Sequence, residues 1–236
     1  MPGRIISNIP NILTLCNLLS GCIAIVMSFH SADTYGPLTG LQWCWIAIAA
    51  AAAFDFCDGA SARGLHAYSP LGADLDSLSD LVSFGVAPAM MMFNVMTGAG
   101  TSAGIALATM LIPVAGAYRL AKFNNDTTQT TTFRGLPIPA NAIFWIGMCG
   151  WIQRYIYPGP AVIILFVLIL SWLMVCNIRM FSLKFKTFGW HENFRRYVLL
   201  AASVLFLVTW HVAGFVWIVA LYVFISVLGR KEQETV

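Results

Sequence analysis

The sequence predicts an all-α, polytopic membrane protein of about eight transmembrane helices, and three observations carry that class. Hydrophobic residues fill 59% of the 236 positions and charged residues only 10%, far too few charges for the surface of a soluble domain of this length. The apolar residues gather into runs close to the roughly 17–25 residues that a helix needs to cross the hydrocarbon. When those runs are threaded back and forth, 12 of the 13 Lys and Arg residues fall on one side.

The elements follow in order. The first run, 10–30, comes after Arg4 but is not followed by a small-residue cleavage pattern, so it reads as a membrane helix and not as a removable signal. Runs at 41–57, 79–97 and 103–121 supply the next three helices. The fifth, 140–153, is entered through Pro137 and Pro139, whose fixed φ makes that entry rigid. The sixth spans 160–178. The apolar stretch 196–229 suits two short helices, divided at "HVAG" into 196–211 and 212–229. No internal repeat and no linker is visible, so residues 1–236 read as one membrane domain, with "KEQETV" as a frayed tail.

Eight crossings put both termini on one side, together with the loops around 58–78, 122–139 and 179–195. Those regions hold every Lys and Arg except Arg154, and by the positive-inside rule they face the cytoplasm. This predicts the inner membrane of a prokaryote. The net charge of +3 comes from that inner rim and suits anionic lipid headgroups, not nucleic acid. The six cysteines are scattered without a CxxC pair and are expected to be reduced packing thiols buried in the apolar segments. The four histidines share no metal-ligand spacing, and Trp145, Trp151, Tyr155 and Tyr157 are expected to form an interfacial belt.

Against this background one segment stands apart. "DFCDGASARGLHAYSPLGADLDSLSD", residues 55–80, holds five of the ten acidic residues: Asp55, Asp58, Asp74, Asp76 and Asp80. Charges near a bilayer are costly, and like charges together also repel. Hard divalent cations relieve both problems, because they take oxygen ligands and carboxylates are the usual donors. Asp55 and Asp58, three apart, stack on one helical face, and Asp76 and Asp80, four apart, do the same on the next helix. The small residues between them can turn the chain so that the two faces meet. Gly59 and Ala62 leave room for a phosphate, and Arg63 offers a planar cationic fork. Helix-end charge would account for Asp74 or Asp76 alone, but not for Asp55 and Asp58 at the C-terminal end of a helix, where the dipole disfavours them. The residues therefore describe a site for metal ions and a diphosphate.

The same positions, Asp55, Asp58, Gly59, Ala62, Arg63, Gly72, Asp76 and Asp80, match DxxDGxxARx8GxxxDxxxD throughout. In this the chain resembles the CDP-alcohol phosphatidyltransferases. "IPNILTLCNLLSGCIAI", "DSLSDLVSFGVAPA", "RLAKFN", "FRGLPIPANA" and "MVCNIRMFSLKFK" resemble the branch of that family that uses L-serine as acceptor, from residue 9 to about 186. The resemblance implies a six-helix core (9–186), to which 196–229 adds a helical hairpin. It also implies two divalent cations, Mg²⁺ or Mn²⁺, held by Asp55, Asp58, Asp76 and Asp80, with Asp80 also the general base. Gly59, Ala62, Arg63 and Gly72 would line the CDP moiety of CDP-diacylglycerol, with Ser69, Asn11 and Thr14 as further contacts. The expected assembly is a homodimer surrounded by membrane lipids.

The expected reaction moves the phosphatidyl group to the serine hydroxyl by direct attack, releasing CMP. An amino-acid acceptor needs cations for its carboxylate, and "YRLAKFNNDTTQTTTFRGLPIPAN" offers Arg119, Lys122, Asn124, Arg134 and Asn141. Two alternatives stay open. Another alcohol, glycerol 3-phosphate or inositol phosphate, would keep the chemistry but require more basic residues. A cation-coupled transporter would place its acids at mid-membrane and show inverted repeats.

Overall fold

The computed structural model describes residues 8–125, 133–181 and 189–228. The expected tail "KEQETV" and the basic residues Arg4, Lys184, Lys186, Arg230 and Lys231 lie outside them. The described chain is helical apart from two short two-stranded ladders and the connecting turns, as the all-α membrane class requires. It divides into two compact units, Met1–Leu120 and Ala121–Val236.

In the first unit, α1 (Ile9–Phe29) starts with Pro10 in its first turn, where the missing N–H costs nothing. Strands β1 (Thr34–Tyr35) and β2 (Leu38–Thr39) close a tight hairpin. A capping box then launches α2 (Gly40–Gly64): Thr39 Oγ1 accepts from the Gln42 N–H, and Gln42 Oε1 accepts from the Thr39 N–H at 2.9 Å. Helix α3 (Pro70–Asp80) is capped by Ser69, whose Oγ accepts from the Gly72 N–H at 3.0 Å, with Pro70 at the first helical position. The third helix thus begins nine residues before the apolar run expected to start at 79. Its cap and proline set the start, and hydropathy marks only where the side chains turn apolar.

Directly after Asp80 the helix widens into a π-helical turn, Leu81–Val86, before continuing as α4 (Ala87–Gly98). The Ala87 N–H reaches the carbonyl of Val82, five residues back. Pro88 accounts for the change, since a proline clashes with the carbonyl four residues earlier, and a wider turn relieves the clash. A short helix α5 (Ala103–Ala106) and a 3₁₀ turn lead into α6 (Leu111–Asn125).

The packing of α1 is that of a membrane helix. Its buried face is a row of small and polar residues, Thr14, Asn17, Ser20, Gly21, Ala24 and Ser28, while Ile12, Leu15, Leu19, Ile23, Val26 and Phe29 point outward. Small residues let backbones approach, and in lipid the large apolar ones need no protein cover. The helix packs on α2, α3, the π turn and α4. The same logic corrects the expectation for cysteine. None of the six is in a disulfide, yet only Cys44 and Cys149 are buried, and Cys22 and Cys57 are exposed, because an outward-facing apolar residue here meets lipid.

In the second unit, β3 (Phe133–Arg134) leads through "GLP" into α7 (Ile138–Arg154), followed by α8 (Pro160–Val175) and β4 (Arg179–Met180), which pairs antiparallel with β3. Gly135 takes φ +76° beneath the C-terminal carbonyls of α8, and an added Cβ would lie 2.4 Å from the Met174 oxygen. Helices α9 (Trp190–Trp210) and α10 (Gly214–Leu228) pack on each other, joined by a 3₁₀ turn at His211–Ala213 with His211 at φ +51°. The break falls at "HVAG", as its length predicts. Trp145 is not part of an interfacial belt: it is fully buried, its Nε1 donating to Asn141 Oδ1 at 3.0 Å. Among the described residues, five stretches are long and apolar enough to cross a membrane: Ile9–Phe29, Gly40–Gly64, Pro70–Gly98, Ala103–Asn125 and Asn193–Leu228, the last spanning α9 and α10. Helices α7 and α8, of 17 and 16 residues, are shorter.

Candidate active site

The carboxylate motif spans the end of α2 and the body of α3, and five residues, 65–69, connect them. Gly59, Ala62 and Arg63 therefore stay helical, so their spacing translates directly into facing. Asp55, Asp76 and Asp80 converge, each offering one carboxylate oxygen within 4.8 Å of the others. Asp76 Oδ1 is buried without a hydrogen-bond partner. A half-buried trio of carboxylates with an orphaned oxygen is unfavourable unless a cation completes it. These residues fit a divalent ion, whose preferred donors are oxygens.

Asp58 is not one of these three. It is 6% exposed, and its Oδ2 accepts from Thr14 Oγ1 at 2.6 Å, which ties α2 to α1. It also lines a cavity of about 190 Å³ together with Asn11, Thr14, Gly59, Ala62, Ser69, Gly72 and Asp76. Asp76 thus belongs both to the trio and to the cavity wall. The cavity depends on small side chains: a Cβ on Gly72 would come within 2.9 Å of Asn11 Oδ1 and 3.0 Å of Ser69 Oγ. The guanidinium of Arg63 folds back along α2, with Nη1 3.3 Å from where a Gly59 Cβ would sit. Asp74 is exposed on α3 but lies beyond its first turn, so it is a surface charge and not the helix-end charge expected.

A family model for the CDP-alcohol phosphatidyltransferases matches residues 7–228, nearly the whole chain. The chain belongs to this family. Among CDP-alcohol phosphatidyltransferases it is 35% identical to a CDP-diacylglycerol–serine O-phosphatidyltransferase of Bacillus subtilis over 175 residues, covering 72% of this chain and 88% of the relative. It is 34% identical to one of Methanocaldococcus jannaschii over 169 residues, 71% of this chain and 73% of the relative. For one of Helicobacter pylori the identity is 30% over 212 residues, 87% of this chain and 84% of the relative.

The residues expected to hold the acceptor in this phosphatidyltransferase lie on three elements, α6, β3 and α7. Arg119 is buried on α6, while Lys122, further along the same helix, donates from Nζ to Asn177 Oδ1 at 2.6 Å. Asn124 is exposed near the end of that helix. Asn141 is fully buried on α7, its oxygen taken by Trp145 and its Nδ2 without a partner. The Arg134 side chain lies outside the described residues, but the β3–β4 register pairs Arg134 with Arg179. Two residues escaped the sequence reading. Arg179 carried a signal, since it sits in the quoted "CNIRMFSLK". Asn17 carried none beyond lying on the buried face of α1, yet its Nδ2 donates to Asp80 Oδ1 at 3.2 Å.

Proposed function

We propose that this membrane enzyme transfers the phosphatidyl group of CDP-diacylglycerol to the hydroxyl of L-serine, giving phosphatidylserine and CMP. The observation that carries this reading is the carboxylate trio meeting, at Asp76, a cavity walled by the small residues of the motif. The serine-specific names of the three relatives support the choice of acceptor.

Asp55, Asp76 and Asp80, with Asp58 on the cavity side, would hold two divalent cations, Mg²⁺ or Mn²⁺. When bound, such ions neutralise the diphosphate and the departing CMP. Gly59, Ala62 and Gly72 admit the CDP moiety, Asn11, Thr14 and Ser69 offer it hydrogen-bonding groups, and Arg63 faces its phosphates from the rim. Asp80 accepts the serine hydroxyl proton as the new oxygen–phosphorus bond forms and the bond to CMP breaks. No phosphatidyl-enzyme is required. For the serine carboxylate, the cationic pair Arg134 and Arg179 is the favoured partner. The β3–β4 register sets these two positions opposite each other on neighbouring strands. Arg119, Lys122, Asn124 and Asn141 complete the acceptor region.

Purified protein given CDP-diacylglycerol and Mn²⁺ is expected to release CMP and form phosphatidylserine with L-serine. It should form little product with glycerol 3-phosphate or inositol phosphate. Release of CMP with another alcohol only would transfer the enzyme to a different branch, and none at all with any acceptor would favour a transporter.

The active site is proposed to face the cytoplasm with both termini, following the 12-to-1 division of basic residues. In a background without native thiols, His66→Cys should react with impermeant reagents from the cytoplasmic side only and Asp33→Cys from the opposite side. Reversed labelling would invert the topology.

A further inference from the structure

We propose that Asn17 is a positioning residue for the transfer reaction, holding the Asp80 carboxylate in its working orientation; this rests on the reading of Asp80 as ligand and base. Asn17 is fully buried on α1, 63 residues from Asp80 in sequence, and its Nδ2 donates to Asp80 Oδ1 at 3.2 Å. A carboxylate only accepts, so the NH₂ end of the amide must face it, and the amide's orientation is determined. The amide oxygen is buried without a partner. An apolar side chain would fill this place without stranding an oxygen, so packing alone does not account for an asparagine here. One hydrogen bond to one carboxylate oxygen restrains rotation of the group without occupying the second.

A second hydrogen bond, to the backbone and not to the amide, joins the same helices beside it. Ser83, in the π turn just past Asp80, donates from Oγ to the Asn17 carbonyl at 3.0 Å. One turn further along α1, Gly21 lets the helices close, since an added Cβ would lie 2.3 Å from Ser83 Oγ and 2.8 Å from its Cα. Asp80 stands at the joint where α3 gives way to the wider π turn. A change of helical pitch redirects the side chains beside it, and α1 is clamped across that joint by two bonds to one residue.

The test compares Asn17→Leu, close in volume and unable to donate, with Ser83→Ala, which removes the backbone clamp and leaves the amide. Asn17→Leu should fold, lower kcat about ten- to a hundredfold, the range of a hydrogen bond to a charged group, and change KM for CDP-diacylglycerol far less. Its binding of Mn²⁺ alone, followed by electron paramagnetic resonance, should weaken. Ser83→Ala should lower Tm while keeping Mn²⁺ binding and kcat close to wild type. If Asn17→Leu does not fold, Asn17→Ala serves for the same two readouts. Unchanged kcat and Mn²⁺ binding in a folded Asn17 variant would overturn the proposal, and so would equal losses in Ser83→Ala. The Mn²⁺ readout needs no acceptor, so it tests Asn17 even if wild-type protein made no phosphatidylserine.

Discussion

Asp76→Asn is expected to lower turnover by on the order of 10²–10³-fold or more, the scale on which losing one preorganised charge-stabilising group acts. The substitution is isosteric, and in ion-free buffer it removes one charge from a cluster of carboxylates, so the variant should be at least as stable as wild type. What it should lose is the rise in Tm that Mn²⁺ gives the wild-type protein, since an ion stabilises only the state that binds it. Asp76 is the choice because it belongs to the trio and to the cavity wall at once, with an oxygen that no protein group satisfies. Treating wild type with EDTA should have the same effect, reversed by Mg²⁺ or Mn²⁺. Full activity in metal-free buffer would remove the ions from the mechanism.

Arg134→Ala and Arg63→Ala should divide the two substrates between them. Arg134→Ala is expected to raise the KM for serine about ten- to a hundredfold, equivalent to the roughly 1.5–3 kcal/mol of a charge-assisted hydrogen bond, with little change for CDP-diacylglycerol. Arg63→Ala should do the reverse, because its guanidinium lies over Gly59, which lines the motif cavity. Arg179→Ala should follow Arg134→Ala if the two arginines share one anion. Equal effects of Arg134→Ala on both substrates would take the residue out of the acceptor region. CMP released before serine is added would replace direct attack by a phosphatidyl-enzyme.

Much of this protein was legible without coordinates, for local reasons. Charge content and the length of the apolar runs are properties of single segments, and they define a polytopic helical membrane protein. Ser69-Pro70 and Thr39 with Gln42 are start signals of the same local kind, within four residues of the helices they open, though the hydropathy reading passed over them. The break at "HVAG" follows from helix length. The motif was readable because Asp55, Gly59, Ala62 and Arg63 share one continuous helix, and Asp76 and Asp80 another, so spacing converts to facing at a fixed angle per residue.

The tertiary structure alone decided which residues meet across helices. Spacing grouped four aspartates as equals; the fold brings three within 4.8 Å of one another and adds a bond from Thr14, 44 residues away, to the fourth, Asp58. Hydropathy began the third helix at its apolar part and passed over the π turn, because a change of pitch depends on how Pro88 is accommodated within a packed helix. Aromatic spacing suggested an interfacial belt, but Trp145 is buried on Asn141. Asn17 is the clearest case. Along the chain it is one polar residue in an apolar run, and its partner Asp80 is defined only when α1 closes onto the joint between α3 and the π turn. Periodicity within a segment records which face is small or polar. Which group on another segment that face will touch depends on helix packing, and no local pattern encodes it.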